Sequence, residues 1–423
     1  MAMAESTLKQ INKSITSAMN GAFYKQHFKG ISVGDIDSFE DFLKLPFTEK
    51  ADLRKVYPLG LAAVGNEEIV RIHASSGTTG NPVLIPYTQK DIRDWMVMFQ
   101  RCYKVAGVTT SDRIQITPGY GLWTAGIGFQ LGAEQLGAMT IPIGPSNTEK
   151  QLEMMVDLEA TVLAATSSYA LVLAEEVEAQ GLLSKICLKK GILGSECWGK
   201  VMRSRISRGL GIDLYDIYGL TEVYGPGIGI SCDSKSGIHM WSDFIYFEIV
   251  DPTTGRPVPK GEVGELVITT LQKEGAPLIR YRTHDLTREL PGKCMCGLDY
   301  PRIDTLIGRT DDMIKIKGTL FFPSHIEGIL AELDSISSEY QLIIDHVNRR
   351  DTAKLYFETS INDEAERLSM EKYVEARIKI IIGISLSATA VSIGALPRSK
   401  RKASRIFDRR KQTLEENNLG SPA

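Results

Sequence analysis

Cysteine is scarce: six thiols in 423 residues cannot knit a disulfide scaffold, and they read as reduced. Long apolar runs are missing too. The nearest candidate, Ile380 to Ile393, falls short of the roughly 18 residues that a bilayer-crossing helix needs, is dotted with serine and reads as a pair of strands. A dominant charge is also absent: net charge is −3 and the isoelectric point about 6.2. The balance therefore gives no electrostatic reason to expect nucleic acid or an anionic membrane as partner. The N-terminal "MAMAESTLKQINKS" lacks the basic-then-apolar order of a secretory leader, so a cytoplasmic location is expected. No internal repeat or low-complexity tract interrupts the chain.

What is present is ordinary globular material, with 43% hydrophobic and 24% charged residues, in a chain long enough for two or three domains. Residues 1 to about 70 read as largely helical, with helix starts at Ser38 and Thr48. From about 70 to 306, short β-rich runs ("RIQITP", "AMTIPIG", "TVLAAT", "KKGILGS", "DLYDIYG") alternate with helical segments. This predicts an α/β domain built on a largely parallel sheet with helices on its faces. "DFIYFEIVDPTTGRPVPKGEVGELVITTL" reads as two strands around a turn, part of a small separate sheet or barrel. After "RIDTLIGRTDDMIKIKG" the pattern becomes strand, helix, strand, helix, strand, a small α+β domain. The boundary is placed in the charge-dense stretch Arg309 to Asp312, giving domains 1–309 and 310–423.

The stretch "HASSGTTGNPVLIPYT", His73 to Thr88, is too hydroxylic for a core and too glycine-rich for a helix, where each glycine costs roughly 1 kcal/mol relative to alanine. It reads as a loop, followed by a strand. Glycine lets the backbone turn N–H groups toward a ligand and the hydroxyls add donors, so an anion such as phosphate is the natural guest. A polar surface loop is the plain alternative. Asn81 follows Gly80, so the Walker A lysine is missing and the usual P-loop reading is excluded.

Four more segments carry candidate chemistry. In "DIYGLTEVYGPG", Glu222 follows Thr221 where a strand gives way to a loop, and a carboxylate there can hold Mg²⁺ against a phosphate. "LIRYRTHDLT" carries Asp285, an acceptor for ribose hydroxyls. "GRTDDMIKIKG" carries Arg309 at the domain joint, and "RSKRKASR" carries Lys402 in a basic loop. Singly, each has an ordinary reading as cap, turn former or solvated face. Their order is what speaks. "RIHASSGTTGNPV", "GSECWG", "DIYGLTEVYGPG", "PLIRYRTHDLT", "GRTDDMIKIKGTLFFPSHIE" and "RSKRKASRIFDRR" together resemble the adenylate-forming superfamily of acyl- and aryl-CoA ligases, most closely the phenylacetate-CoA ligase family.

The resemblance implies a large N-terminal adenylate-forming domain, a small mobile C-terminal α+β domain, and ATP, Mg²⁺ and coenzyme A as cofactors. An acid–thiol ligase would join ATP to a carboxylic acid, release pyrophosphate, and pass the acyl group to a thiol with release of AMP. It implies that Ser75, Ser76, Gly77, Thr78, Thr79 and Gly80 cradle the phosphates, with Thr221 adding a hydroxyl and Glu222 holding Mg²⁺. The adenine would lie against Tyr218 and Gly219, flanked by Gly194, Ser195 and Glu196, with Asp216 near its amine. Asp285 and Arg309 would take the ribose, Lys402 would bridge carboxylate and α-phosphate, and Asp311 would be the hinge. Two departures stand out: Asn81 replaces the family's lysine after the loop, and Arg401 replaces the glycine before Lys402, leaving Lys400 as a lesser substitute. A small-molecule acid, no nucleic acid and no membrane are the expected partners, and a homodimer is left open.

Cys232 and His239 in "CDSKSGIH", with Cys294 and Cys296 in "CMC", supply the three thiols and one imidazole of a closed structural Zn²⁺ site. For the acyl group, "GYGLWTAGIGFQLGAEQLG" is the pocket candidate. Its small residues Gly121, Ala125 and Gly126 leave room beside Tyr120 and Trp123 for a flat ring, although helix packing explains the same pattern. The rival readings are an adenylyltransferase that modifies a deazaflavin cofactor, and a non-catalytic nucleotide-binding member of the fold.

Overall fold

The apolar runs become a parallel sheet because strands buried on both faces need continuous apolar side chains. In the computed structural model, which describes residues 5–31, 36–75, 81–347, 350–396 and 405–410, Met139–Ile141, Arg113–Ile116, Val162–Thr166, Lys190–Gly194 and Asp213–Leu220 lie side by side in that order, all parallel. Four antiparallel strands extend the sheet: Gly225–Ser231, Ile238–Met240, Arg302–Ile303 and Glu289–Leu290. The expected second sheet contains Ile245–Val250, Gly264–Thr270 and Tyr281–Thr287, paired antiparallel. No helix among the described residues is long and apolar enough to cross a membrane.

The helix Gln89–Val105 shows how local sequence sets an element. Thr88 and Asp91 form a reciprocal capping box, Thr88 N–H to Asp91 at 3.0 Å and Asp91 N–H to the Thr88 hydroxyl at 3.1 Å. Buried Ile92, Trp95, Met98, Phe99, Cys102 and Tyr103 then recur at helical spacing toward the core. Asp91 does more than cap, because it also accepts from the N–H groups of Glu274 and Gly275, each at 2.8 Å.

The N-terminal segment is helical as expected, with one shift. Ser38 caps Phe39–Leu43, but the next helix, Lys50–Lys55, is capped by Glu49. Thr48 is unavailable: its hydroxyl donates to the Ile279 carbonyl at 2.7 Å and stands 3.1 Å from the Tyr24 hydroxyl. Nearby, Arg280 is fully sequestered. Its guanidinium pairs with Glu248 at 2.9 and 3.1 Å and donates to the Leu43 and Leu45 carbonyls at 2.6 and 2.7 Å. These bonds fasten the first helices to the strand that carries Asp285. Glu248→Ala would leave a buried cation unpaired, and we expect a loss of about 3–5 kcal/mol in a urea unfolding titration. A loss below about 1 kcal/mol would show the pair to be incidental.

By contact the chain divides into Met1–Glu196 with Leu210–Ile307, and Cys197–Gly209 with Gly308–Ala423. The division thus falls two residues before 309 and gives segment 197–209 to the second unit. The cause is visible: Arg205 donates to the Ile336 carbonyl at 2.9 Å and Arg208 pairs with Asp334 at 3.0 Å. In the second unit the strand order is Ser387–Ser392, Arg350–Thr359, Ile336–Val347, Ile406–Asp408. Burial along Ile336–Val347 alternates, and Met370, Val374 and Ile378 of the helix Glu364–Ile381 are buried at one-turn spacing. The strand Arg350–Thr359 was not expected. Nor is Ile380 to Ile393 a pair of strands, because the helix runs through Ile381 and leaves Ile380 74% exposed before the single strand Ser387–Ser392.

Candidate active site

The carboxyl ends of two adjacent parallel strands gather the expected residues from Gly194 to Glu196 and from Asp216 to Glu222, where open α/β sheets place ligands. Gly194 pairs with Ile217 across adjacent strands, which puts Gly194 to Glu196 beside Asp216 to Gly219. The fit is close: a Cβ on Gly194 would lie 2.3 Å from the Ile217 carbonyl oxygen, and one on Gly219 would lie 2.0 Å from that of Gly225. Ser195 takes a left-handed φ of 73°, a conformation L-residues adopt at a cost and one that recurs at functional sites. Glu196 accepts from the Ser168 N–H at 3.0 Å and the Ser167 hydroxyl at 3.2 Å, so its carboxylate faces a helix start. The N–H of Asp216 donates to Ser231 Oγ at 2.8 Å. The Tyr218 hydroxyl donates to Asp285 at 2.6 Å, which joins the two sheets' candidates and orients both side chains.

At the end of the strand Asp213–Leu220 the chain turns through Thr221 and Glu222. The Thr221 hydroxyl is 3.1 Å from that of Thr124. Glu222 is 4% exposed. Its Oε1 forms an ion pair with Lys50 Nζ at 2.9 Å. A buried carboxylate at the end of a sheet strand, already facing one cation, fits an Mg²⁺ ligand on the chemistry of its oxygens. Lys50 supplies a positive charge from a distant segment of a chain that lacks the lysine after the loop.

The turn is held from beneath. The Tyr87 hydroxyl donates to the Tyr224 carbonyl at 3.0 Å and lies 3.5 Å from that of Thr221. The ammonium of Lys273 donates to the Val223 carbonyl and sits 4.0 and 4.5 Å from the ring centres of Tyr87 and Tyr224. Burial pushes Lys273 down to about 7 against the pull of Asp91 and Glu222.

The loop after His73 is a hairpin connection as expected, with Ala74 opposite Leu84 in antiparallel register. Ser75 N–H donates to the Val83 carbonyl at 3.0 Å, and its hydroxyl is buried without a hydrogen-bond partner. Burial, opposed by a bond to the Leu122 carbonyl, drives His73 down to about 4, so its ring is neutral at physiological pH. Ser76, Gly77, Thr78, Thr79 and Gly80, together with Lys402, lie outside the described residues. Arg309 and Asp311 pair with each other, two bonds at 2.8 Å.

The acyl-pocket candidate divides. Tyr120 carries a buried hydroxyl with no hydrogen-bond partner, but Gly126 leaves no room: a Cβ there would be 2.8 Å from the Tyr120 ring and from the carbonyls of Pro118 and Gly119. Trp123 is 41% exposed. Gly121 turns with φ of 83° and faces open space, while Ala125 opens the helix Ala125–Leu136. Helix packing therefore accounts for Gly126.

The four metal-ligand candidates do come together. Ligand atoms of Cys232, His239, Cys294 and Cys296 all lie within 4.8 Å of one another. Cys232 and Cys294 sulfurs are 3.6 Å apart, and the Cys296 sulfur is 3.3 Å from His239 Nε2. Sulfurs 2.3 Å from a tetrahedral ion stand about 3.8 Å apart, so the residues fit zinc. Burial works to raise Cys294, but the Ser234 and Ser236 hydroxyls hold it down to about 5, which favours the thiolate that ligates.

Lys50, Tyr87, Thr124 and Lys273 escaped the sequence reading. Lys273, between Gln272 and Glu274 in "TTLQKEGAPL", carried no signal that sets it apart from a solvated lysine.

Comparison with known proteins agrees with this geometry. Residues 10–272 match the AMP-binding enzyme family and residues 318–410 the AMP-binding enzyme C-terminal domain. The chain is 40% identical to phenylacetate-coenzyme A ligase of Pseudomonas putida over 97% of its own length and 94% of the relative's. It is 41% identical to phenylacetate-coenzyme A ligase of Escherichia coli K12, covering 92% and 91%. Its fold is similar to 2-hydroxyisobutyryl-CoA ligase in the postadenylation state, with a TM-score of 0.89, 25% identity, and coverage of 98% and 91%. With about 40% identity over nearly the whole of both chains, the chain belongs to the phenylacetate-CoA ligase family of adenylate-forming enzymes.

Proposed function

We propose that the acid activated by this AMP-forming acyl-CoA ligase is aromatic, and that the residues gathered at the sheet's carboxyl end bind its nucleotide. The likeness to phenylacetate-coenzyme A ligases over nearly the whole chain supports an aromatic acid. The observation that carries the nucleotide assignment is the Glu222 carboxylate, buried and facing the Lys50 ammonium in the turn that follows Tyr218.

In this reading the Ser75 to Gly80 loop and Thr221 hold the phosphates, and Glu222 holds Mg²⁺, which would neutralise phosphate charge. Tyr218 and Gly219 face the adenine with Gly194, Ser195 and Glu196 at its edge and Asp216 near its amine. Asp285, oriented by Tyr218, takes a ribose hydroxyl. A carboxylate is a poor electrophile, so attack of its oxygen on the α-phosphorus, with pyrophosphate leaving, converts it to an acyl adenylate. The thiol of coenzyme A then attacks the acyl carbon and AMP leaves. Both steps need positioning and charge neutralisation more than covalent help. Asp311 is the hinge of the C-terminal domain between them, and Cys232, His239, Cys294 and Cys296 hold a structural Zn²⁺.

Pyrophosphate release across a panel of acids tests the substrate class. Phenylacetate is expected to exceed acetate by about 100-fold or more in kcat/KM, since each methylene-sized contact is worth roughly 1–3 kcal/mol. Equal or better turnover of a short-chain acid would remove the aromatic assignment.

A further inference from the structure

The turn that presents Glu222 has an unusual foundation. Three of its four carbonyls, those of Thr221, Val223 and Tyr224, face two fully buried side chains, the Tyr87 hydroxyl and the Lys273 ammonium. A buried ammonium is costly and an apolar side chain of similar length would pack there without that cost. The site nonetheless encloses the cation between two aromatic faces at 4.0 and 4.5 Å. The next link is rigid as well. Lys273 is followed by Glu274 and Gly275, whose N–H groups are both fixed by Asp91, the capping residue of Gln89–Val105. Tyr87 is the penultimate residue of the hairpin strand Leu84–Thr88, which runs directly into the same helix. One buried unit therefore joins the hairpin, the helix start and the turn, and Glu222 has a fixed backbone under it.

We propose that Tyr87 and Lys273 are positioning residues for adenylation: they grip the carbonyls on either side of Glu222 and so aim its carboxylate at the cation that accompanies ATP. Neither touches substrate. They act through the backbone of the turn, and the effect falls on metal-assisted nucleotide binding ahead of any other property. The inference rests on Glu222 as Mg²⁺ ligand, and the test separates the two ideas.

The full-length protein is titrated calorimetrically with ATP, once with Mg²⁺ and once in chelator. Tyr87→Phe keeps the ring that faces Lys273 and deletes only the donor, while Lys273→Met replaces the cation by an apolar chain that packs well. Each is expected to weaken Mg²⁺–ATP binding about tenfold and leave metal-free ATP binding within about twofold. Glu222→Gln sets the full metal-dependent loss. Equal weakening in both titrations, unaltered Mg²⁺–ATP binding, or failure of both variants to fold would overturn the positioning role, because each describes a structural or idle pair. If Glu222→Gln itself leaves Mg²⁺–ATP binding unaltered, the magnesium assignment fails and takes this inference with it.

Discussion

Lys402→Ala is expected to lower acid-dependent ATP–pyrophosphate exchange by at least about 100-fold, the scale on which removing one charge-stabilising donor acts. Thioester formation from a supplied acyl adenylate is expected to remain within a few-fold of the parent. The split follows from the chemistry. In the first half-reaction negative charge accumulates between carboxylate and α-phosphate, and a lysine bridging the two stabilises the transition state more than the ground state. In the second, the leaving group is already AMP and the thiol attacks carbon, so that cation has no comparable task. Lys402 lies in the segment matched by the C-terminal domain of AMP-binding enzymes, residues 318–410. Lys400→Ala controls for the general positive charge of "RSKRKASR" and is expected to change exchange by less than about fivefold, because an exposed charge in a run of charges is screened. Equal loss of both half-reactions in Lys402→Ala, or a larger loss in Lys400→Ala, would show that the role belongs elsewhere.

The second large effect concerns the Cys₃His cluster. Protein purified without chelator is expected to carry one zinc per chain, and stripping it should lower Tm by at least about 10 °C, since structural zinc contributes folding free energy directly. Cys296→Ser should reproduce much of that loss without chelator. The cluster joins the connection between Gly225–Ser231 and Ile238–Met240 to the connection between Glu289–Leu290 and Arg302–Ile303. These short strands form one end of the large sheet, and Arg302 adds its own bonds to Ser236 at 2.7 Å. Absence of zinc by elemental analysis, together with a Tm unmoved by Cys296→Ser, would leave the four residues as packing alone.

Much of the first unit was legible because the strands that make it are buried on both faces. "TVLAAT" and "KKGILGS" have no reading other than interior strands once helices flank them. The second unit was less transparent. Arg350–Thr359 alternates buried Ala353, Leu355 and Phe357 with Lys354 and Tyr356, and a strand with one wet face gives a weaker signal than a solid apolar run. Ile380 to Ile382 misled in the opposite sense, since three consecutive isoleucines invite a strand although they close a helix. In the site, motif residues announced themselves by wording and order, whereas Lys50 and Lys273 did not. Lys50 acquires its meaning from Glu222, 172 residues later in the chain but 2.9 Å away, and no spacing rule connects such a pair. Gly126 shows the reverse: a small residue suggests space, yet close packing of the Tyr120 ring uses it.

Chemistry at phosphorus comes before any thiol takes part. ATP–pyrophosphate exchange measured in the absence of coenzyme A, with phenylacetate as the acid, tests that most directly. The expected result is exchange that requires both Mg²⁺ and the acid, with acyl adenylate detected by mass in the quenched mixture. Tight ATP binding without acid-dependent exchange, for phenylacetate or any other acid of the panel, would contradict it.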